Sequence, residues 1–334
     1  MNYRQSEKIL EEVKSVNKIL LNCHRGPDQD SLASAFALAK VLEGMGKEVS
    51  IFCPTRPYED FSYIGDFSRI KVIENVDSYD FSGFDLIIIL DSAGWRQFGF
   101  TDKDSELKVN FINIDHHPNS DIQAAVELID TNASATCEVL HLLFQDWGVT
   151  IDTDLGQTLL FGILGDTGVM RYSSTTPRTL QIAAKMFEAG VDYNAGVFNI
   201  TQNYDLNLVK WWGLLADRLE IDSENEFVWA AVEYEAFKKY NIAASSTSEF
   251  ANLIARSIKG TTFCIVMVEK KPKIFSLSVR SRIASFDSSV ISQELGGGGH
   301  EVASGALIEG EDFESAVKRF LRVARKHAKN FKKD

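Results

Sequence analysis

Aspartates and histidines recur at four places in this sequence. They are His24-Arg25-Gly26-Pro27-Asp28-Gln29-Asp30, Leu90-Asp91-Ser92-Ala93, Asp115-His116-His117 and Gly165-Asp166-Thr167-Gly168. Each has an ordinary reading when taken singly. An aspartate after a strand caps a helix or makes a turn, and Asp28 and Asp30 suit a Pro-Asp turn ahead of a helix. His116 and His117 alone would pass for a satisfied polar pair. Together they resist that account. Carboxylates crowded at one crevice repel and raise one another's pKa values unless a cation holds them ionised. Carboxylates with imidazoles and no thiolate suit manganese, iron, cobalt or zinc better than calcium or a typical magnesium site. One carboxylate shared by two cations would set them roughly 3.5–4 Å apart, the spacing used in two-metal phosphoester hydrolysis.

The elements that must deliver these residues are legible from the apolar pattern. Ile19–Cys23, Lys47–Cys53, Asp85–Leu90 and Val109–Ile114 read as strands, and the last two lack clean alternation, as expected for strands covered on both faces. Helices are expected over Ser31–Met45, Ser134–Trp147, Asp154–Leu164 and Thr176–Ala189. The last has Thr176 as cap, Pro177 at its first position and Gly190 beyond its end. This order predicts a doubly wound α/β domain with a parallel sheet. Ligands of such sheets bind outside the carboxyl ends of the strands, which is where His24, Asp91 and Asp115-His116-His117 fall. The pattern loosens near 194–205, so the expected division is a first domain over 1–193, a linker over 194–212 and a smaller mixed α/β domain over 213–334. Strands near Phe227–Val232, Thr262–Val268 and Ile274–Val279 and helices Leu206–Leu219, Glu249–Ile258 and Asp312–Asn330 belong to this second half.

Bulk properties narrow the function classes. A chain of 334 residues is long for one core. Met1 to Lys8 is polar and charged, so no secretory signal is expected. Leu86–Leu90, the most apolar run, is far too short to cross a bilayer. Cys23, Cys53, Cys137 and Cys264 show no metal-ligand spacing and sit in apolar contexts, which fits reduced core thiols in a cytoplasmic protein. A net charge of −12 opposes general binding to long nucleic acid but not to a small phosphorylated substrate. The last helix carries Arg319, Arg322, Arg325, Lys326, Lys329, Lys332 and Lys333. That stripe reads as a solvated face complementing the helix dipole in preference to a nucleic-acid track.

With these motifs in view the chain resembles the DHH phosphoesterase superfamily over nearly its whole length. The family takes its name from the triplet found here as Asp115-His116-His117. His24-Arg25-Gly26-Pro27-Asp28-Gln29-Asp30 resembles its first motif, and Asp91 and Asp166 fill two others. Gly296-Gly297-Gly298-Gly299-His300 resembles the signature of the DHH-associated C-terminal domain, which the family's inorganic pyrophosphatases lack. The compact length is similar to the branch of bifunctional oligoribonucleases (nanoRNases) and pAp phosphatases. The resemblance implies one metal bound by His24, Asp28 and Asp91, and a second bound by Asp30, Asp91, His116 and Asp166, with Asp91 bridging. It implies that Asp115 orients a histidine and that His117 faces the substrate phosphate or leaving oxygen, so that His117 and Asp91 carry the chemistry. Gln29, Leu32 and Ala33 stand where the family's loop often has a small residue, a departure that leaves every implied ligand in place.

In the second domain, four successive glycines before His300 could present backbone N–H groups to an anion. Arg280, in Ser278-Val279-Arg280-Ser281-Arg282, offers a planar fork suited to phosphate, and Arg282 points the same way along an extended strand, so either could be the contact. That segment resembles the family's substrate-binding stretch, which brings Ser281, Gly297, Gly298, Gly299 and His300 in as substrate contacts, with the active site expected in a cleft between the domains. The expected protein is a cytoplasmic exoribonuclease-type hydrolase with two divalent ions, manganese foremost. It would convert short oligoribonucleotides to mononucleotides, and pAp to AMP. No long-duplex or membrane partner is expected, and a homodimer is compatible with the sequence. A phosphodiesterase for cyclic dinucleotides or linear pApA and pGpG is the alternative. A nucleotide-binding regulator with an inactive site is a reading of another class.

Overall fold

Every residue of the strand Leu86–Leu90 is buried because its two faces meet different cores. Leu86, Ile88 and Leu90 join one hydrophobic cluster, and Ile87 and Ile89 join another. A strand covered on both sides needs no polar alternation, which is why this run reads as uniformly apolar. The computed structural model describes residues 1–334 apart from 102–106, 119, 241, 243–245, 284 and 332–334. Lys332 and Lys333 of the basic stripe therefore lie outside the described residues. The chain divides into two units, Met1–Asn203 and Tyr204–Asp334. The stretch expected as a linker is largely helical, with helices at Tyr193–Thr201 and Leu206–Asp217 on either side of that division. Asp192 caps the first of them by accepting the Ala195 N–H at 3.0 Å. This cap helps stabilise a helix in a segment with no strong apolar period.

The first unit runs α1 (Ser6–Ser15), β1 (Lys18–Asn22), α2 (Gln29–Gly44), β2 (Glu48–Cys53), β3 (Ile70–Val72), β4 (Leu86–Leu90), α3 (Trp95–Phe98), β5 (Phe111–Asp115), β6 (Val126–Ile129), α4 (Thr136–Asp146), α5 (Thr153–Asp166), α6 (Pro177–Glu188) and α7 (Tyr193–Thr201). Its six strands pair in parallel in the order β3-β2-β1-β4-β5-β6. The strand order therefore reverses between β1 and β4, and the crevice at that reversal is where open α/β sheets hold ligands. Residues of α1, α2, α4, α5 and α6 share the core of one face with alternate strand residues. The other face is covered by an aromatic cluster that includes Phe52, Phe81, Phe98 and Phe100 and is drawn mainly from the segments after β3 and β4. Sequence reasoning missed α1, β3 and β6, the two strands being edge strands of three and four residues.

The second unit runs α8 (Leu206–Asp217), β7 (Glu220–Asp222), β8 (Phe227–Val232), α9 (Tyr234–Phe237), α10 (Ser246–Leu253), β9 (Phe263–Lys271), β10 (Ile274–Ser281), α11 (Ser289–Glu294), β11 (Gly298–Gly299), β12 (Ala303–Glu309) and α12 (Phe313–Phe331). Its sheet has the order β11-β12-β10-β9-β8-β7, antiparallel except for the β8–β9 pair. Phe263, Ile265 and Met267 of β9 face a core shared with α11 and α12, and Cys264, Val266 and Val268 face one shared with α8 and α10. All four cysteines are buried and unpaired. Among the described residues no helix is long and apolar enough to cross a membrane.

Candidate metal centre

The first donors follow directly from how β1 passes into α2. Asp28 is the N-cap of α2, its Oδ1 accepting the Ser31 N–H at 3.0 Å. The helix thus begins two residues earlier than the apolar pattern indicated, and Asp30 sits in its first turn, fully buried. Ser31 Oγ accepts the His24 N–H at 2.8 Å and fixes the backbone at the end of the strand. His24 Nδ1 lies 3.1 Å from the Arg25 carbonyl, so Nδ1 carries the proton. That leaves Nε2 facing Asp28 Oδ2 at 3.5 Å and Asp91 Oδ2 at 3.6 Å.

Asp91, at the end of β4, adopts φ +50°, a left-handed conformation that few non-glycine residues take. Such strain persists where surrounding structure holds it, and here it places the carboxylate between the other donors. Asp91 Oδ1 lies 3.6 Å from His116 Nε2 and 3.7 Å from His117 Nδ1, and it accepts the Thr136 hydroxyl at 3.0 Å. Thr136 was not anticipated, since a threonine opening a helix reads only as a cap.

Asp115 has a different duty from its neighbours. Its Oδ1 accepts the N–H groups of His116 and His117 at 2.7 and 3.1 Å and the His117 Nδ1–H at 2.8 Å. The carboxylate is buried and fixes the His117 imidazole and the His116 backbone. His117 Nε2 is thereby left as an acceptor on a ring that is 27% exposed. His116 directs Nδ1–H to the Ala133 carbonyl at 3.3 Å. Its Nε2 is 3.1 Å from Asp166 Oδ2 without hydrogen-bond geometry, and it is buried with no hydrogen-bond partner.

Asp30 is anchored from outside its own helix. Its two oxygens accept the Thr136 and Cys137 N–H groups at 2.6 and 3.0 Å, so it caps α4, whose own N-cap Ala135 has no side-chain acceptor. Asp166 arrives at the last residue of α5. A Cβ at Gly162 of α5 would stand 2.6 Å from Asp30 Oδ1 and 2.4 Å from Cys137 Sγ, so only glycine lets α5 come this close to α2 and α4.

Burial, with Asp91 close by, raises the Asp30 carboxyl to about 7. Burial and then the Asp28 charge do the same for Asp91, again to about 7. Asp166 is pushed up to about 7 by burial, against its contact with His116. Burial opposes a charged His24, yet the Asp28 and Asp91 carboxylates outweigh it and lift the imidazole to about 10. His116 reaches about 11 on the same balance, with Asp166 and Asp91 as its partners. Asp28 alone falls, to about 2, because His24 more than offsets its burial. Protons thus hold together a cluster whose charges would otherwise repel, and a divalent cation would take their place.

The donor set fits that exchange. Donor atoms of His24, Asp28 and Asp91 lie within 4.8 Å of one another, as do those of Asp30, His116 and Asp166, and the buried His116 Nε2, which makes no hydrogen bond, would ligate once its proton is displaced. All the first-unit residues singled out from the sequence are therefore brought together at the β1/β4 switch point.

The second-unit candidates stand otherwise. Arg280 Nη1 donates to the carbonyls of Val279 and Ser304 at 2.9 and 3.2 Å. Ser281 is buried, its hydroxyl 2.6 Å from the Phe286 carbonyl and 2.9 Å from that of Glu301, which ties it to its own loop. The glycine run is a hairpin edge, with Gly298 opposite Gly305 and Gly299 opposite Ser304. The N–H groups of Gly296, Gly297 and His300 already donate to the carbonyls of Gln293, Ser292 and Ala303. This replaces the open N–H nest expected from the sequence. A Cβ at Gly297 would fall 2.1 Å from the Gly305 carbonyl oxygen, so the glycine serves close strand approach. His300 and the hairpin remain exposed.

A parallel sheet of this strand order with Asp/His donors at its reversal is a doubly wound α/β fold with a candidate metal centre. Residues 18–163 match the DHH family, N-terminal domain. Over 304 residues the chain is 26% identical to the bifunctional oligoribonuclease and PAP phosphatase of Bacillus subtilis (strain 168), covering 90% of this chain and 92% of that protein. In fold it is similar to an exopolyphosphatase-related protein from Bacteroides fragilis, with a TM-score of 0.89 at 21% identity over 98% of this chain and 97% of that one. It is also similar to RecJ from Thermus thermophilus in complex with Mn2+, with a TM-score of 0.53 at 14% identity, covering 98% of this chain and 55% of that one.

Proposed function

We propose that this chain is a divalent-metal phosphoesterase that hydrolyses short oligoribonucleotides to mononucleotides and removes the 3′-phosphate of pAp to give AMP. The observation that carries the reading is the convergence of His24, Asp28, Asp30, Asp91, Asp115, His116, His117 and Asp166 at one strand-order reversal, in three overlapping donor groups. Near full-length similarity to a protein named for both activities gives it a substrate class.

In this reading His24, Asp28 and Asp91 hold one cation, and Asp30, Asp91, His116 and Asp166 hold the second, with Asp91 shared. The ions are manganese, in keeping with the imidazole donors. Bound cations supply positive charge to phosphoryl oxygens and acidify water. The protein's own share is positional. Asp115 sets the His117 ring and the Ala133 carbonyl sets that of His116, and His117, through Nε2, orients the scissile phosphate. Arg280, His300 and the exposed Gly297–Gly299 hairpin grip a substrate phosphate. Ser281 shapes the loop behind them.

Protein stripped with chelator and reloaded with Mn2+ or Mg2+ tests this against RNA dimers and pentamers, a 24-mer, pAp, and linear and cyclic dinucleotides. Mn2+-restored hydrolysis of the RNA dimers and pAp is expected. Activity confined to cyclic dinucleotides would move the assignment to that substrate class. Full activity in chelator would remove the metal reading.

A further inference from the structure

The loop between β6 and α4 touches three of the donors at once. Its Ala133 carbonyl orients His116, the Thr136 hydroxyl holds Asp91, and the Thr136 and Cys137 N–H groups hold Asp30. The loop is pinned at both ends by one side chain from α6. Arg178 Nη2 donates to Asp130 Oδ2 at 2.9 Å, where the loop begins, and Arg178 Nε donates to Glu138 Oε1 at 2.6 Å, where α4 has begun. Glu138 is fully buried, and its other oxygen takes the Ser134 hydroxyl at 2.6 Å and the Thr179 hydroxyl at 2.7 Å. Ser134 adjoins the carbonyl that receives His116 Nδ1–H. At the other end the Asp130 N–H donates to the Asp115 carbonyl at 3.0 Å, tying the loop to β5.

We propose that Arg178 is a positioning residue for the metal centre, clamping Asp130 and Glu138 so that the 130–137 loop presents its carbonyl and N–H groups to His116, Asp91 and Asp30. This rests on the metal reading above. The reasons lie in geometry and chemistry. A guanidinium can bridge two carboxylates on different segments with fixed angles, which an ammonium cannot. Groups that hydrogen-bond metal ligands from behind set metal affinity, their loss weakening binding roughly 10–100-fold. The clamp serves the donors of one proposed ion, Asp30, His116 and the shared Asp91. It makes no contact with His24 or Asp28, so its loss should act unequally on two bound cations.

The test titrates Mn2+ into metal-free protein by calorimetry, with Mn2+ spin resonance as a second signal. Variants Arg178→Gln and Arg178→Lys are compared with Ile182→Val, a core change on the same helix that controls for lost stability. One Mn2+ equivalent is expected to weaken roughly 10–100-fold in Arg178→Gln and less in Arg178→Lys, with the other equivalent and the Ile182→Val isotherm near wild type. Should Arg178→Gln fail to fold, Arg178→Lys carries the same comparison. Wild-type affinity in whichever Arg178 variant folds, or equal weakening of both equivalents, overturns the proposal. So does a wild-type protein that binds no Mn2+. A wild-type protein that binds Mn2+ normally but hydrolyses none of the nucleotides would sink the proposed function and leave this inference standing.

Discussion

In the proposed reading Asp91 serves both cations, and His117 serves the substrate instead of a metal. Asp91 reaches His24, His116 and His117 at 3.6 to 3.7 Å, while His117 is tied through Nδ1 to Asp115. Asp91→Asn should therefore lose both Mn2+ equivalents and at least about 100-fold in kcat, on the scale seen when transition-state charge stabilisation is removed. His117→Ala should keep its metal and lose turnover, measured by metal analysis beside steady-state rates. The reverse pattern would exchange their roles. Protonation gives a second prediction at this scale. Without metal, Asp30, Asp91 and Asp166 sit at about 7, above the ~3.9 of an unfolded aspartate. Between those values the native state binds more protons than the unfolded chain, so stability falls as pH rises from about 4 to about 7. His24 and His116, raised to about 10 and about 11, add to the loss above the ~6.5 of a free imidazole. Asp28, lowered to about 2, acts in the opposite sense only below about pH 4. Bound cations replace those protons, so the melting-temperature gap between metal-loaded and metal-free protein should widen from pH 5 to pH 8. A gap that stays constant across that range would contradict proton–metal exchange.

At the scale of elements, what the sequence reveals is set by whether a signal is local. The strands β1, β4 and β5 are short apolar runs ending at chemistry-bearing residues, and the residues after them converge because parallel strands align their carboxyl ends. Asp28 and Asp30 were legible as a pair, but the capping of α4 by Asp30 was not, since its partners lie more than a hundred residues away. Thr136, Glu138 and Arg178 escaped for the same reason. The glycine run shows the converse case. Its composition suggested an anion nest, yet the positions opposite it, Ser304 and Gly305, turn it into a hairpin edge. Gly162 lets two such long-range contacts form together, and it yields a test. Alanine would gain about 1 kcal/mol of helix propensity. Its methyl would meet Cys137 Sγ at 2.4 Å and Asp30 Oδ1 at 2.6 Å, and overpacking of this kind costs about 1–3 kcal/mol. Gly162→Ala should therefore be net destabilising by thermal melting and should weaken Mn2+ binding through Asp30. A variant more stable than wild type with unchanged affinity would show that α5 has slack the structure does not display.

Charge is the property of the whole molecule that bears most on substrate size. The chain carries −12, and among the described residues of the α12 stripe every cation except Arg322 stands in an ion pair. Arg319 pairs with Glu311 and Arg325 with Asp222, both at 2.7 Å. Lys326 and His327 share Glu294 at 2.9 and 2.7 Å, and Lys329 lies 4.0 Å from Glu224. Each exposed pair adds little stability, about 0–1 kcal/mol, but collectively they neutralise the helix against its own unit. A long phosphate backbone would therefore gain little outside the metal centre and would be repelled at low salt. Processive binding to single strands needs a basic groove interleaved with stacking aromatics, and among the described residues the exposed face of α12 presents charges that are mostly paired. The specificity constant should consequently be higher for dimers to pentamers than for a 24-mer of the same sequence. The disadvantage of the 24-mer should shrink as salt rises, because screening removes repulsion faster than it removes contacts at the metal centre. Neutralising Lys326 and Lys329 should leave both rates within about twofold, the residue of breaking weak surface pairs. A rate that instead climbs with length, and collapses in that double variant, would mean that α12 releases its internal partners to bind the strand, and would make the protein a processive exonuclease.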